Sequence, residues 1–247
     1  MLSWQKLRSF LDMKKSIVIK DLSFKYPDGS LALDGINLDV KRGDSVGIIG
    51  PNGAGKSTLL LHLNGTLISK TGTVAIDNTI INSKHLKTIR KKVGMVFQDP
   101  DDQLFMPTVF DDIAFGLLNL GLKETEIKAK ITVALTRFGL TGFESKSPQH
   151  LSLGEKKKIS LAGILVLEPE ILVFDEPTAN LDPRARREFI EFIRNIPATK
   201  IIASHDLDMI KQLTESVVVL KRGRIVTDGK TDDILSRKDI LQANDLT

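Results

Sequence analysis

GPNGAGKS, Gly50 to Ser57, decides how this 247-residue chain is read. It matches G-x-x-x-x-G-K-[ST], the phosphate-loop pattern, in full. Given 18 glycines, a match arises by composition alone roughly once in a hundred such chains, so the context has to decide. An apolar run, Ser45 to Ile49, precedes the loop and reads as a buried strand. Ser57 to Leu63 follows and reads as a helix that stops near Gly65. Strand, loop and helix together select the phosphate-binding reading over a glycine turn that merely caps a helix. The small residues let the backbone curve round a phosphate so that successive N–H groups point at its oxygens. The helix N-terminus adds partial positive charge. Gly50, Pro51, Asn52, Gly53, Ala54 and Gly55 then form the cradle. Lys56 reaches the β- and γ-phosphates, and Ser57 offers its hydroxyl oxygen to Mg²⁺.

A second signal lies far along the chain in ILVFDEP, Ile171 to Pro177. Four apolar residues bury a strand, and two carboxylates emerge at its C-terminal end, where open α/β sheets bind ligands. Neighbouring strand residues face opposite ways, so the two acids divide their work. Asp175 is placed to hold Mg²⁺, directly or through water, and Glu176 to polarise a water for attack on the γ-phosphate. His205 also follows an apolar strand, in KIIASHD, and is a candidate γ-phosphate contact. Gln98 closes VGMVFQ and is a candidate for Mg²⁺ or for the attacking water.

Apolar stretches alternate with helical patterns through most of the chain, which predicts an α/β core with a largely parallel sheet. Between about residues 99 and 168 the apolar period is helical, as in Ile127, Ile131, Leu135 and Phe138, with stops at Gly121 and Gly139. Cysteine is absent, which excludes disulfides and thiolate metal sites. The net charge of +4 selects no partner class. No apolar run approaches the ~18 residues of a membrane span, and the N-terminus lacks the apolar core of a signal peptide. Residues 1–15 are expected to be an extension, in which Leu2, Leu7, Phe10 and Leu11 share a short helical face. The main domain is expected over 16–240, with a tail at 241–247.

In order, these pieces resemble the ATP-binding subunit of ABC transporters, from about Ile17 to Leu235. Tyr26 matches the aromatic that stacks on adenine, and GPNGAGKST, Gly50 to Thr58, matches the Walker A loop. Gln98 matches the Q-loop, LSLGE (Leu151 to Glu155) the signature, and ILVFDE the Walker B strand with its catalytic Glu176. ANLD, ending at Asp182, matches the D-loop, and His205 the switch histidine. QDPDDQLF, Gln98 to Phe105, further resembles the ATPases of energy-coupling-factor importers, a group that includes cobalt, nickel and vitamin importers. The resemblance implies a P-loop NTPase with a RecA-like core, an antiparallel β part and an inserted α-helical subdomain. It also implies ATP and Mg²⁺ as cofactors, and hydrolysis coupled to transport at the cytoplasmic face of the membrane. The implied partners are a second ATPase subunit and integral membrane coupling and substrate-binding subunits, with no nucleic acid. Ser152 and Gly154 would serve the partner's ATP. A soluble ABC ATPase of an assembly complex, such as one for iron–sulfur clusters, is the alternative.

LSLGEKKKISLAG, Leu151 to Gly163, departs from the family's usual LSGGQ: Leu153 replaces a Gly, and Glu155 replaces Gln. Ser152 and Glu155 have the S-x-x-E spacing of a capping box, so Glu155 is expected to turn back to its own cap. The helix is expected over Glu155 to about Leu167, with Lys156 to Lys158 on a solvated face. Leu104, Phe105 and Met106 are read equally as core or as a groove for a membrane partner.

Overall fold

A computed structural model describes residues 15–246; Leu2, Leu7, Phe10 and Leu11 lie outside the described residues. Two sheets organise the chain. Strands β1 (Lys15–Lys25), β2 (Leu31–Lys41), β4 (Thr71–Ile76) and β5 (Thr79–Ile80) form an antiparallel sheet in the order β2-β1-β4-β5. Strands β3 (Ser45–Ile49), β6 (Val93–Val96), β7 (Ile171–Asp175), β8 (Thr199–Ala203), β9 (Ser216–Lys221) and β10 (Arg224–Lys230) form the second sheet, in the order β10-β9-β3-β8-β7-β6. It is parallel except for the β9–β10 hairpin.

Side-chain alternation divides the core. Along β7, Ile171 and Val173 join one apolar cluster, with Ile17, Ile36, Leu59 and Leu60, against the antiparallel sheet and helix α1 (Lys56–Leu63). Leu172 and Phe174 join the other, with Ile113, Ile131, Ile159 and Phe189. That second cluster lies under α3 (Val109–Asn119), α4 (Glu124–Arg137), α5 (Leu153–Leu165) and α6 (Pro183–Arg194). By the same period of two, Asp175 belongs to the face carrying Ile171 and Val173, which is the α1 side. The remaining helices are α2 (Leu86–Lys92), α7 (Leu207–Leu213), α8 (Thr231–Ser236) and α9 (Lys238–Ala243).

From residue 99 to 168 the described secondary structure is helical: short 3₁₀ turns at Pro100–Asp102 and Pro148–His150, and α3, α4 and α5. Gly121 and Gly139, both with positive φ, follow α3 and α4. Helix α5 begins at Leu153, two residues ahead of expectation, because Ser152 is itself the N-cap. The expected tail at 241 begins inside α9, where Leu241 is buried.

Candidate functional site

The phosphate loop joins β3 to α1 at the C-terminal end of the parallel sheet. Gly55 caps α1 in the left-handed region at φ 104, with no side-chain cap bond. The first N–H groups of α1 are therefore left for a ligand. A Cβ on Gly50 would sit 2.1 Å from the Leu220 carbonyl oxygen, and one on Gly55 2.5 Å from that of Ala32. Only glycine fits either place. Lys56 is buried, and its Nζ donates to the carbonyls of Gly50 at 2.7 Å and Pro51 at 3.2 Å. Burial pushes its pKa down, while Glu176 and Asp175 pull it back up.

A cavity of about 350 Å³ opens beside the loop. Tyr26, Asn52, Gly53, Ala54, Gly55, Lys56, Ser57, Thr58, Gln98, Asp175 and Glu176 all line it, joined by Ser30, Leu31 and Ala32. Gly50 and Pro51 stand behind the lining and act through their carbonyls. The Tyr26 hydroxyl is 3.0 Å from Thr58 Oγ1, and the ring meets Phe24 edge-on at 5.1 Å. Tyr26 is thus anchored at the cavity's rim, and the Thr58 hydroxyl is engaged with it. The three missed residues follow the turn at Pro27–Gly29; Ser30, Leu31 and Ala32 carry no chemical signature, so only the closeness of β2 to the loop reveals them.

Asp175 is buried, and its Oδ1 lacks a hydrogen-bond partner. Burial raises its pKa, and a bond from Ser57 lowers it in part. Glu176 is also buried, with a left-handed φ of 43. Its Oε2 accepts from Ser204 Oγ at 2.7 Å, and its Oε1 accepts from the His205 N–H at 3.0 Å and lies 2.9 Å from His205 Nδ1. Ser204, fully buried, also escaped the sequence reading. His205 is bound to the carboxylate rather than lining the cavity, and its side chain is 68% exposed.

Ser152, Gly154 and Asp182 lie elsewhere, in a second cavity of about 410 Å³ with Leu153, Lys158, Asn180 and Arg184 among its walls. Ser152 Oγ and N both donate to Glu155 Oε2, at 2.7 and 2.8 Å, and Glu155 N returns to Ser152 Oγ. Glu155 does turn back to its own cap, and these bonds hold its carboxyl below the usual range. Asp182 caps α6, accepting from Arg184 N and Ala185 N. The lysine run departs from expectation. Lys157 is 2% exposed, and its Nζ donates to the carbonyls of Gln98 and Pro177, each at 3.0 Å. Burial lowers it to about 8. Lys156 pairs with Asp101 and Lys158 with Glu188. The face is packed because residues 157, 160 and 161 share the inner side of α5.

Residues 33–179 match the ABC transporter family. The chain belongs to that family. This ABC ATPase is 47% identical over 231 residues to the energy-coupling factor transporter ATP-binding protein EcfA of Methanothermobacter thermautotrophicus, covering 92% of this chain and 74% of that protein. Its fold matches cbiO1 of Clostridium perfringens, described as part of the ABC transporter complex cbiONQ. The TM-score is 0.81 at 38% identity, over 94% of this chain and 95% of the other. It also matches MJ0796, an ATP-binding cassette solved as a dimer in a post-hydrolysis state with ADP and Pi. There the TM-score is 0.79 at 26% identity, over 87% of this chain and 98% of that one. The fold is therefore that of a P-loop ABC ATPase, and the activity is hydrolysis of ATP coupled to transport.

The donor set of this ABC ATPase fits a hard divalent cation. A buried carboxylate oxygen without a partner, the Ser57 hydroxyl beside it and the Gln98 amide in the same cavity are all oxygen donors of the kind Mg²⁺ takes.

Proposed function

We propose that this chain powers an energy-coupling-factor importer as one of two ATPase subunits, with cobalt or nickel as cargo. The observation that carries the paired arrangement is the separation of the two half-sites. Lys56, Ser57, Asp175 and Glu176 share one cavity, while Ser152, Gly154 and Asp182 line another. A head-to-tail second copy or paralogue brings its signature cap to this chain's phosphate loop. The likeness to EcfA and to cbiO1 supports the transporter class, while cobalt or nickel is the cargo that the resemblance of the sequence favours.

The chemistry follows from the residues. ATP enters with its adenine against Tyr26 and its phosphates along Gly53 to Ser57. Lys56 turns from the Gly50 and Pro51 carbonyls to the phosphate oxygens, which compensates its burial with charge. Ser57, Gln98 and Asp175, the last directly or through water, would hold Mg²⁺. Such an ion would supply positive charge to offset that of the phosphates. Glu176 orients the attacking water, and His205, released from its carboxylate contact, meets the γ-phosphate. Ser152 and Gly154 of the partner copy close the far side. Positioning and charge neutralisation account for most of the rate in such transfers.

Among the described residues, no helix is long and apolar enough to cross a membrane. Attachment at the cytoplasmic face comes through docking. Phe105 is 65% exposed and stacks edge-on with exposed Phe115 at 5.5 Å, while Leu104 packs against the core. Leu104 thus takes the core role, and exposed Phe105 is proposed for the groove role. Co-expression with candidate membrane subunits tests the reading. The chain should co-purify with them and support ATP-dependent uptake of Co²⁺ or Ni²⁺ into vesicles. Uptake at full rate without this subunit overturns the proposal.

A further inference from the structure

Lys157 is a buried charge that the hydrolysis scheme leaves unused. It sits on the signature helix, α5, two residues after Glu155 closes the capping box, and it is 2% exposed. Its two carbonyl partners belong to different parts of the site. Gln98 is the cavity residue that follows β6, and Pro177 directly follows Glu176. A buried ammonium is costly unless its donors are satisfied, so the position is occupied for the bonds it makes.

Two neighbouring contacts define what is particular about it. Lys156 binds Asp101 Oδ1 at 2.7 Å, and Gln103 Nε2 donates to the Ser160 carbonyl at 2.8 Å. Both tie the segment after Gln98 to α5, so that segment is fastened to the helical layer. Lys157 alone among these three contacts also crosses to the loop after β7. Backbone at Pro177 is one peptide from Glu176, whose own N–H is held by the Ala203 carbonyl at 2.9 Å. A displacement of α5 therefore reaches Gln98 and Glu176 through one side chain.

We propose that Lys157 is a positioning residue for hydrolysis, a strut that sets the Gln98 and Glu176 loops according to where the signature helix stands. It touches no substrate and acts through the two backbone carbonyls. The proposal rests on the roles given above to Gln98 and Glu176.

The test is a double-mutant cycle in the full chain. Lys157→Met keeps length and apolar volume but removes the donors. It should leave the affinity for a fluorescent ATP analogue near wild type and lower kcat by about tenfold. Gln98→Ala should lower kcat too, and the double variant should be no slower than the worse single, since both act through one loop. Lys200→Met is the control: Lys200 is also a buried lysine donating to a backbone carbonyl, that of Arg194, but at the other end of β8. It should lose stability without losing kcat. Multiplying losses in the double variant, or wild-type kcat in folded Lys157→Met, overturns the strut. If Lys157→Met does not fold, Lys157→Leu, which also lacks a donor, takes its place in the same cycle, with the same two outcomes. Glu176→Gln, run alongside, reports on the site assignment separately: full activity there removes the premise, whereas additive losses in the cycle remove only Lys157.

Discussion

Glu176 Oε1 and His205 Nδ1 are 2.9 Å apart, and the same carboxylate holds Ser204 Oγ at 2.7 Å through its other oxygen. The residue expected to orient water is thus engaged at both oxygens by its own chain. In the proposed scheme the His205 contact is exchanged for one to the nucleotide, which would link Glu176 to phosphate occupancy.

Glu176→Gln should keep ATP binding, because the phosphate loop is untouched, and slow hydrolysis by about 10²–10³-fold, the usual weight of a positioned base. ATP should then trap the paired state. Size-exclusion chromatography with ATP and Mg²⁺ checks this; a variant that turns over at the wild-type rate contradicts the role of Glu176.

Asp175→Asn should raise the Mg²⁺ concentration needed for half-maximal hydrolysis. Its effect on stability has the opposite sign. Burial raises the Asp175 pKa, so the ionised carboxylate opposes folding when no cation is bound. In Mg²⁺-free buffer at neutral pH the urea midpoint of Asp175→Asn should equal or exceed wild type. A lower midpoint would show that the carboxylate is held by more than the cation.

The capping box carries a pH dependence. Glu155 is held below its ordinary value of 4.5 by its bonds from Ser152. Its contribution is present above that unfolded value and is lost as pH falls through the lower folded one. Glu155→Gln should cost about 0.5–1 kcal/mol at pH 7. The cost should vanish once the pH lies below the folded value. Urea titrations on the two sides of the window provide the comparison.

Phe105→Ser should change the chain's own stability by no more than about 0.5 kcal/mol, as for an exposed position. Under the docking proposal its effect falls on the membrane partner. Retention by membrane subunits should weaken by about 2 kcal/mol, the scale of an aromatic anchor, with basal ATP hydrolysis intact. Undiminished co-purification would remove Phe105 from the docking surface.

The phosphate loop, the acidic strand end and the capping box were legible in the sequence because each is local. Glycine spacing, one strand's parity and an S-x-x-E pair carry their geometry within a few residues. The α/β alternation likewise follows from period alone. Other features span the chain: Ser204 lies 28 residues from Glu176, and Gln98 59 from Lys157. Such contacts depend on how β6, β7, β8 and α5 pack together. KKK reads as a solvated run because lysines are solvated by default, yet the helical period already set Lys157 in line with Ser160 and Leu161. From sequence alone came the full phosphate-loop pattern between a strand and a helix, because glycine spacing and apolar period are local. That Glu176 is engaged by Ser204 and His205, that the signature lines a separate cavity, and that Lys157 within the lysine run is buried was settled by the tertiary structure, since burial and long-range pairing come from packing rather than composition.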